Sequence, residues 1–215
     1  MLADPKTYLA SLTDELTKTW PKNRLVNIVC HGHSVPAGYF KTPVVDTFHA
    51  YPHLLHKALK ARFPHAVLNV IVTAIGGEDS EGGARRFETE VLCHRPDLLL
   101  IDYCLNDRRI GLERAALAWT QMIQAAQKKK VPLILCTPTL DNGDLVELRK
   151  HAAQVRELAE RHNLGLADSF IRWERGIAEG TPREALLSQS NHPNEAGHAL
   201  VVEELLRWFP APRGV

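Results

Sequence analysis

Cysteine is scarce: four residues in 215, Cys30, Cys93, Cys104 and Cys136, with no C-x-x-C pair. That spacing indicates neither a zinc ribbon nor a thioredoxin-type redox site, and free thiols in a reducing compartment are expected. No stretch approaches the roughly 18 consecutive apolar residues of a membrane-spanning helix. The segment from Met1 to Trp20 has no apolar h-region and carries Asp4, Asp14 and Glu15, so it does not read as a secretory leader and a cytoplasmic location is expected. An excess of one charge is missing too. Lys and Arg total 26 and Asp and Glu 25, a net charge of +1, which argues against a phosphate-backbone binder. Neither a nucleic-acid nor a membrane partner is therefore expected. Gly32 to Gly38 fits neither G-x-G-x-x-G nor a P-loop, so no nucleotide cradle is indicated. Gly32-His33-Ser34-Val35-Pro36 lacks the closing glycine of a G-x-S-x-G elbow. Repeats, low-complexity tracts and Ser/Gly linkers are absent, so one domain over 1–215 is expected.

What is present is a globular composition, 45% apolar and 24% charged, in which short apolar runs alternate with amphipathic ones. The short runs predict strands over Arg24–Cys30, Val67–Ala74, Asp97–Tyr103, Pro132–Thr137 and Leu164–Ala167. Helical spacing predicts helices over Pro5–Thr19, Leu54–Phe63, Gly82–Leu92, Leu112–Lys129 and Leu145–Arg161, with a short helical stretch around Phe170. Asn194 is placed to cap a last helix running to Trp208. Continuously apolar strands are buried on both faces, and helical crossovers between them are right-handed. The expected fold is α/β, a three-layer α/β/α sandwich with about five parallel strands. Ligands of such sheets bind beyond the C-terminal strand ends.

Four loops belong to that rim or can fold back over it. They are His31-Gly32-His33-Ser34 after the first strand, Ala74 to Ser80 after the second, Cys104-Leu105-Asn106-Asp107 after the third, and Gln189-Ser190-Asn191-His192-Pro193 before the last helix. Taken together they resemble the four blocks of the SGNH (GDSL) hydrolases, a flavodoxin-like family. Its pattern is Gly-Asp-Ser, a glycine, Gly-x-Asn-Asp and Asp-x-x-His-Pro, in that order. Here the blocks read Gly32-His33-Ser34, Gly77, Cys104-Leu105-Asn106-Asp107 and Gln189-Ser190-Asn191-His192-Pro193. Two positions depart from the pattern: His33 precedes the serine, and Gln189 stands where the triad acid would be.

The resemblance implies a carboxylic-ester hydrolase with Ser34 as nucleophile and His192 as general base and acid. It also implies an oxyanion hole from the N–H groups of Ser34 and Gly77 and the side-chain amide of Asn106. A serine hydroxyl needs an adjacent base to be nucleophilic, and imidazole titrates where such a base must. Gln189 is the tentative orienter of His192, through an oxygen that can fix the tautomer but carries no charge. A backbone carbonyl, or a carboxylate recruited from Glu78, Asp79 or Asp107, is the alternative. His33 either bears on the nucleophile or replaces a loop contact. The H-x-H pair His31 and His33, and His49, His53 and His56, lack the further ligands of a metal site, so neither metal nor cofactor is expected. Arg108 and Arg109 read as solvated. The implied substrate is a small ester, with a carbohydrate O-acetyl group as the guess. Thioesterase and lysophospholipase activities remain alternatives, as does a catalytically silent ligand-binding protein on the same fold.

Overall fold

A computed structural model of the chain describes residues 1–211. Its sheet contains β1 (Leu25–Gly32), β2 (Val67–Val72), β3 (Leu98–Asp102), β4 (Leu133–Cys136) and β5 (Gly165–Ala167), in the order β2-β1-β3-β4-β5. Every neighbouring pair is parallel. The five expected strands are all present.

Alternation along each central strand builds two cores. From β3, Leu98 and Leu100 enter one cluster, and Leu99 and Ile101 the other. From β4, Ile134 and Cys136 face the first, and Leu133 and Leu135 the second. The first core is closed by α1 (Ala10–Thr17), α3 (Tyr51–Arg62), α8 (Ser169–Ala178) and α9 (Glu195–Leu206), through side chains such as Leu16, Leu55, Trp173 and Leu205. The second is closed by α4 (Ser80–Arg86), α6 (Gly111–Lys128) and much of α7 (Val146–His162), through Ala84, Trp119, Met122 and Val155. The central strands β3 and β4 are thus buried on both faces, which is why their sequences are apolar up to Asp102 at the end of β3.

Three expectations are corrected. The opening helix is shorter than Pro5–Thr19, because the segment before Ala10 is taken up by turns. The stretch Gly82–Leu92 is not one helix: α4 passes into a π-helical turn at Phe87–Val91 and then a 3₁₀ turn at Leu92–His94. The segment before the last helix is a two-stranded antiparallel hairpin, β6 (Leu187–Gln189) and β7 (His192–Pro193), which no periodicity announced. Asn194 does cap α9, accepting from Gly197 N–H at 3.0 Å.

The chain reverses direction across the sheet between β1 and β3, the kind of crevice where open α/β sheets bind ligands. Gly32 ends β1 directly beside Asp102, the last residue of β3. A Cβ on Gly32 would lie 2.4 Å from the Asp102 carbonyl oxygen, so only glycine allows the two strand ends to approach this closely. Ser34 leaves that point as the first residue of α2 (Ser34–Ala37).

Candidate active site

The hydroxyl of Ser34 lies 3.1 Å from Nε2 of His192, although 158 residues separate the two. Ser34 is buried at the head of α2, and β7 carries His192 over it half-buried. The other imidazole nitrogen, Nδ1, lies 3.1 Å from the backbone carbonyl of Phe40. A carbonyl only accepts, so Nδ1 carries the proton and the Nε2 lone pair faces the serine hydroxyl. Burial lowers the His192 pKa. The Phe40 carbonyl pulls it upward, and charge on His33 adds to the lowering. The neutral, proton-accepting form is therefore favoured.

Gln189 is not brought to the imidazole. Its Oε1 accepts from Thr42 N–H at 2.7 Å, which ties the hairpin to the loop that carries Phe40. Of the three kinds of orienter left open by the sequence, geometry gives the contact to the backbone carbonyl. The three carboxylates considered as replacements are also engaged elsewhere. Glu78 receives Arg86 Nε at 2.9 Å and the Tyr103 hydroxyl at 2.8 Å. Asp79 caps α4 by accepting from Gly82 N–H at 3.1 Å. Asp107, fully buried, accepts from Ser80 N–H at 2.8 Å and from the Trp119 indole at 2.7 Å, pinning the loop after β2 against α6.

The donors expected around the nucleophile are arranged as follows. Neither Ser34 N–H nor Gly77 N–H donates to a protein acceptor among the described residues. Gly77 sits exposed with φ +77°, a left-handed conformation that glycine adopts without strain. The Asn106 side chain, on α5 (Cys104–Asp107), donates through Nδ2 to the Glu78 carbonyl at 2.8 Å. One of its two amide hydrogens is thus used to hold the Gly77 loop, and the other remains. Arg109 grips the same loop through the Gly77 carbonyl.

The sequence matches the GDSL-like Lipase/Acylhydrolase family over residues 30–200. The chain belongs to that family. It is accordingly an ester hydrolase, and the four blocks lie inside the matched region. Among solved structures, the chain is similar to an acetylxylan esterase, Axe2, from Geobacillus stearothermophilus. That match has 19% identity and a TM-score of 0.75, covering 86% of this chain and 94% of that one. It is also similar to a Parabacteroides merdae protein described as a GDSL-like lipase, at 17% identity and a TM-score of 0.74, covering 86% and 95% of the two chains. No curated protein matches the sequence.

Within this family pattern the residue before the serine is His33, and its ring is fully buried. Nδ1 accepts from Val35 N–H at 3.3 Å, capping α2, and lies 3.4 Å from Ser34 Oγ. Nε2 faces Asp102 Oδ1 at 3.4 Å. That separation is long for a hydrogen bond, yet neither atom has a better partner. His31 has different neighbours. Its Nδ1 meets the Thr73 hydroxyl at 3.0 Å, and its Nε2 meets the Tyr103 hydroxyl at 3.0 Å. Burial, followed by the charge of Arg86, drives its pKa down to about 3. The H-x-H pair is thus divided between two environments. Among the described residues, no three His, Cys, Asp or Glu side chains gather as a metal would require.

Several residues near the site were not singled out from the sequence. The Phe40 carbonyl leaves no trace there, since every residue has one. Asp102 did leave a signal: it is a carboxylate at the end of an otherwise apolar strand, where charge is rarely buried without a partner. Arg108, read as solvated, instead pairs with the buried Asp141 at 2.7 Å. Trp173 is core, whereas Tyr39 is exposed and its ring centroid lies 6.0 Å from that of His192.

Proposed function

We propose that this hydrolase works through an acyl-enzyme on Ser34, and that its substrates are short-chain esters of carbohydrates, acetyl esters foremost. The observation that carries the reading is the 3.1 Å contact between Ser34 Oγ and His192 Nε2, with the Nδ1 proton held by the Phe40 carbonyl. His192 Nε2 takes the hydroxyl proton as Oγ attacks the ester carbon, and the carbonyl electron pair moves onto oxygen. The N–H groups of Ser34 and Gly77 and the second Nδ2 hydrogen of Asn106 receive that oxyanion. When the intermediate collapses, the imidazolium returns its proton to the leaving alkoxide. Water then repeats the sequence: His192 takes its proton, the hydroxide adds to the acyl carbon, and the acid leaves as Ser34 recovers its hydrogen.

The acetyl-ester reading is supported by the similarity to an acetylxylan esterase. It is also supported by Tyr39, an exposed aromatic ring beside the base that suits the face of a sugar. The test is hydrolysis of p-nitrophenyl acetate, acetylated xylo-oligosaccharides, an acyl thioester and a lysophospholipid by the wild type and Ser34→Ala. Serine-dependent release of acetate from the first two supports the reading. A preference for the thioester or lysolipid replaces the substrate class. Equal rates for wild type and Ser34→Ala would leave a ligand-binding protein as the better account.

A further inference from the structure

In the resting geometry two imidazoles address one hydroxyl. His192 is the outer one, and its distal nitrogen rests on a neutral carbonyl. His33 is the inner one. Its Nδ1 accepts Val35 N–H, so its proton belongs on Nε2, the nitrogen facing Asp102. A serine oxygen, an imidazole and a carboxylate thus line up in sequence, on the buried side of the nucleophile. Asp102 is 4% exposed and His33 fully buried, and an isolated carboxylate at that depth is costly unless an imidazole can share a proton with it.

We propose that His33, backed by Asp102, is a second base for Ser34, supplying on the buried side the carboxylate that the outer histidine lacks. The inference rests on Ser34 being the nucleophile. In the step assigned to it, the Ser34 Oγ–H proton moves to His33 Nδ1, which gives up Val35 N–H. The released electron pair forms the Oγ–carbon bond, and the carbonyl pair moves to oxygen and then returns to expel the leaving group. The imidazolium so formed draws in Asp102, since a charge-assisted hydrogen bond is shorter and stronger than the resting contact. That gain exists only once charge has developed, which is what favours a transition state over a ground state. His33 is closed to solvent, so it can serve acylation by an ester whose leaving group needs no proton, but it cannot activate the deacylating water. His33 is here a catalytic residue and Asp102 a positioning residue.

Separating the two bases requires the His192→Ala background. With p-nitrophenyl acetate, His192→Ala is expected to lose turnover. It should keep a single burst of phenolate, about one per enzyme because water is not activated for deacylation. The acetyl-enzyme would be visible by mass spectrometry. His33→Asn retains a side-chain oxygen to cap α2 but has no base. Adding it should slow the burst by about a hundredfold, within the usual range for a general base. Adding Asp102→Asn instead should slow the burst while leaving its amplitude intact. The pH profile of the burst should show one ionisation limb that His33→Asn abolishes, an effect that loss of a structural contact would not produce.

The titratable groups facing His33 are Asp102 from β3, Asp107 from α5 and His192 from β7. Tyr51 from α3 and the Cys30 and Cys136 thiols surround Asp102. Neither substitution removes any of these other than Asp102 itself. Circular dichroism and thermal melting verify folding. If His33→Asn does not fold, Asp102→Asn decides through the burst rate alone. Equal bursts in His192→Ala and its double variants, with wild-type hydrolysis still serine-dependent, would overturn the second base and leave the acyl-enzyme reading standing. Loss of serine dependence in the wild type would overturn both.

Discussion

Truncating Gln189 to alanine removes the 2.7 Å hydrogen bond from Thr42 N–H and no contact to the imidazole. A neutral, exposed hydrogen bond is worth about 0.5–1.5 kcal/mol net. If all of that were transmitted through the loop to the Phe40 carbonyl and felt only in the transition state, kcat would fall about tenfold at most, since roughly 1.4 kcal/mol is a factor of ten. A residue that holds the base as a triad acid does behaves differently: its loss costs about 10⁴-fold in kcat. Three orders of magnitude therefore separate the two roles. Steady-state hydrolysis of p-nitrophenyl acetate by Gln189→Ala, with active sites titrated to correct for misfolded protein, resolves them. A drop of a few-fold is expected, together with a small loss of thermal stability. A drop beyond about a thousandfold, near what loss of a triad acid costs, would refute the assignment of the Phe40 carbonyl as the partner of Nδ1.

Asn106→Ala should lower kcat by about 10²–10³-fold, the usual cost of one oxyanion donor. Because Asn106 also holds the Glu78 carbonyl, the readout is kcat at saturating substrate alongside a melting curve. Burial lowers the His192 pKa, so the acidic limb of kcat/KM should lie below the ordinary imidazole value of about 6.5. A limb above that value would contradict the geometry. His31 and His198 are fully buried, and burial lowers each pKa to about 3. The unfolded chain therefore binds their protons first, so their stabilisation is complete above about pH 6.5 and is lost as pH falls towards 3. At pH 5 the loss is about 2 kcal/mol per histidine. Urea unfolding measured against pH checks this, and His198→Gln should flatten the slope by about 1.4 kcal/mol per pH unit. An unchanged slope would show that His198 already takes up its proton in the folded chain.

The sequence revealed those parts of the molecule that depend on which side chain stands where. Burial on both faces demands apolar residues along β3 from Leu98 to Ile101 and along β4, and so the strands were visible. The proposed nucleophile, base and oxyanion donors demand particular chemical groups, and Ser34, Gly77 and Asn106 stood out after strands and His192 before the last helix. The π-helical turn at Phe87–Val91 had no such signature, because its residues repeat at nearly helical spacing. The orienting group was hidden for a different reason. A backbone carbonyl has no residue type, and only the fold of the loop from Tyr39 to Val45 delivers the one at Phe40 to the imidazole.

The two departures from the family pattern are connected by charge. An imidazole resting on a carbonyl keeps its tautomer but gains no negative charge to stabilise its protonated form, and the lowered pKa of His192 follows from burial without such compensation. On the other side of Ser34 the carboxylate of Asp102 is reached through His33, the histidine that stands where the family pattern has aspartate. A carboxylate at Gln189 would lie at the exposed rim, where water weakens its field. Asp102 lies where water is excluded and the same charge acts more strongly. On the proposed roles, the arrangement moves the negative charge from behind the base to beneath the nucleophile.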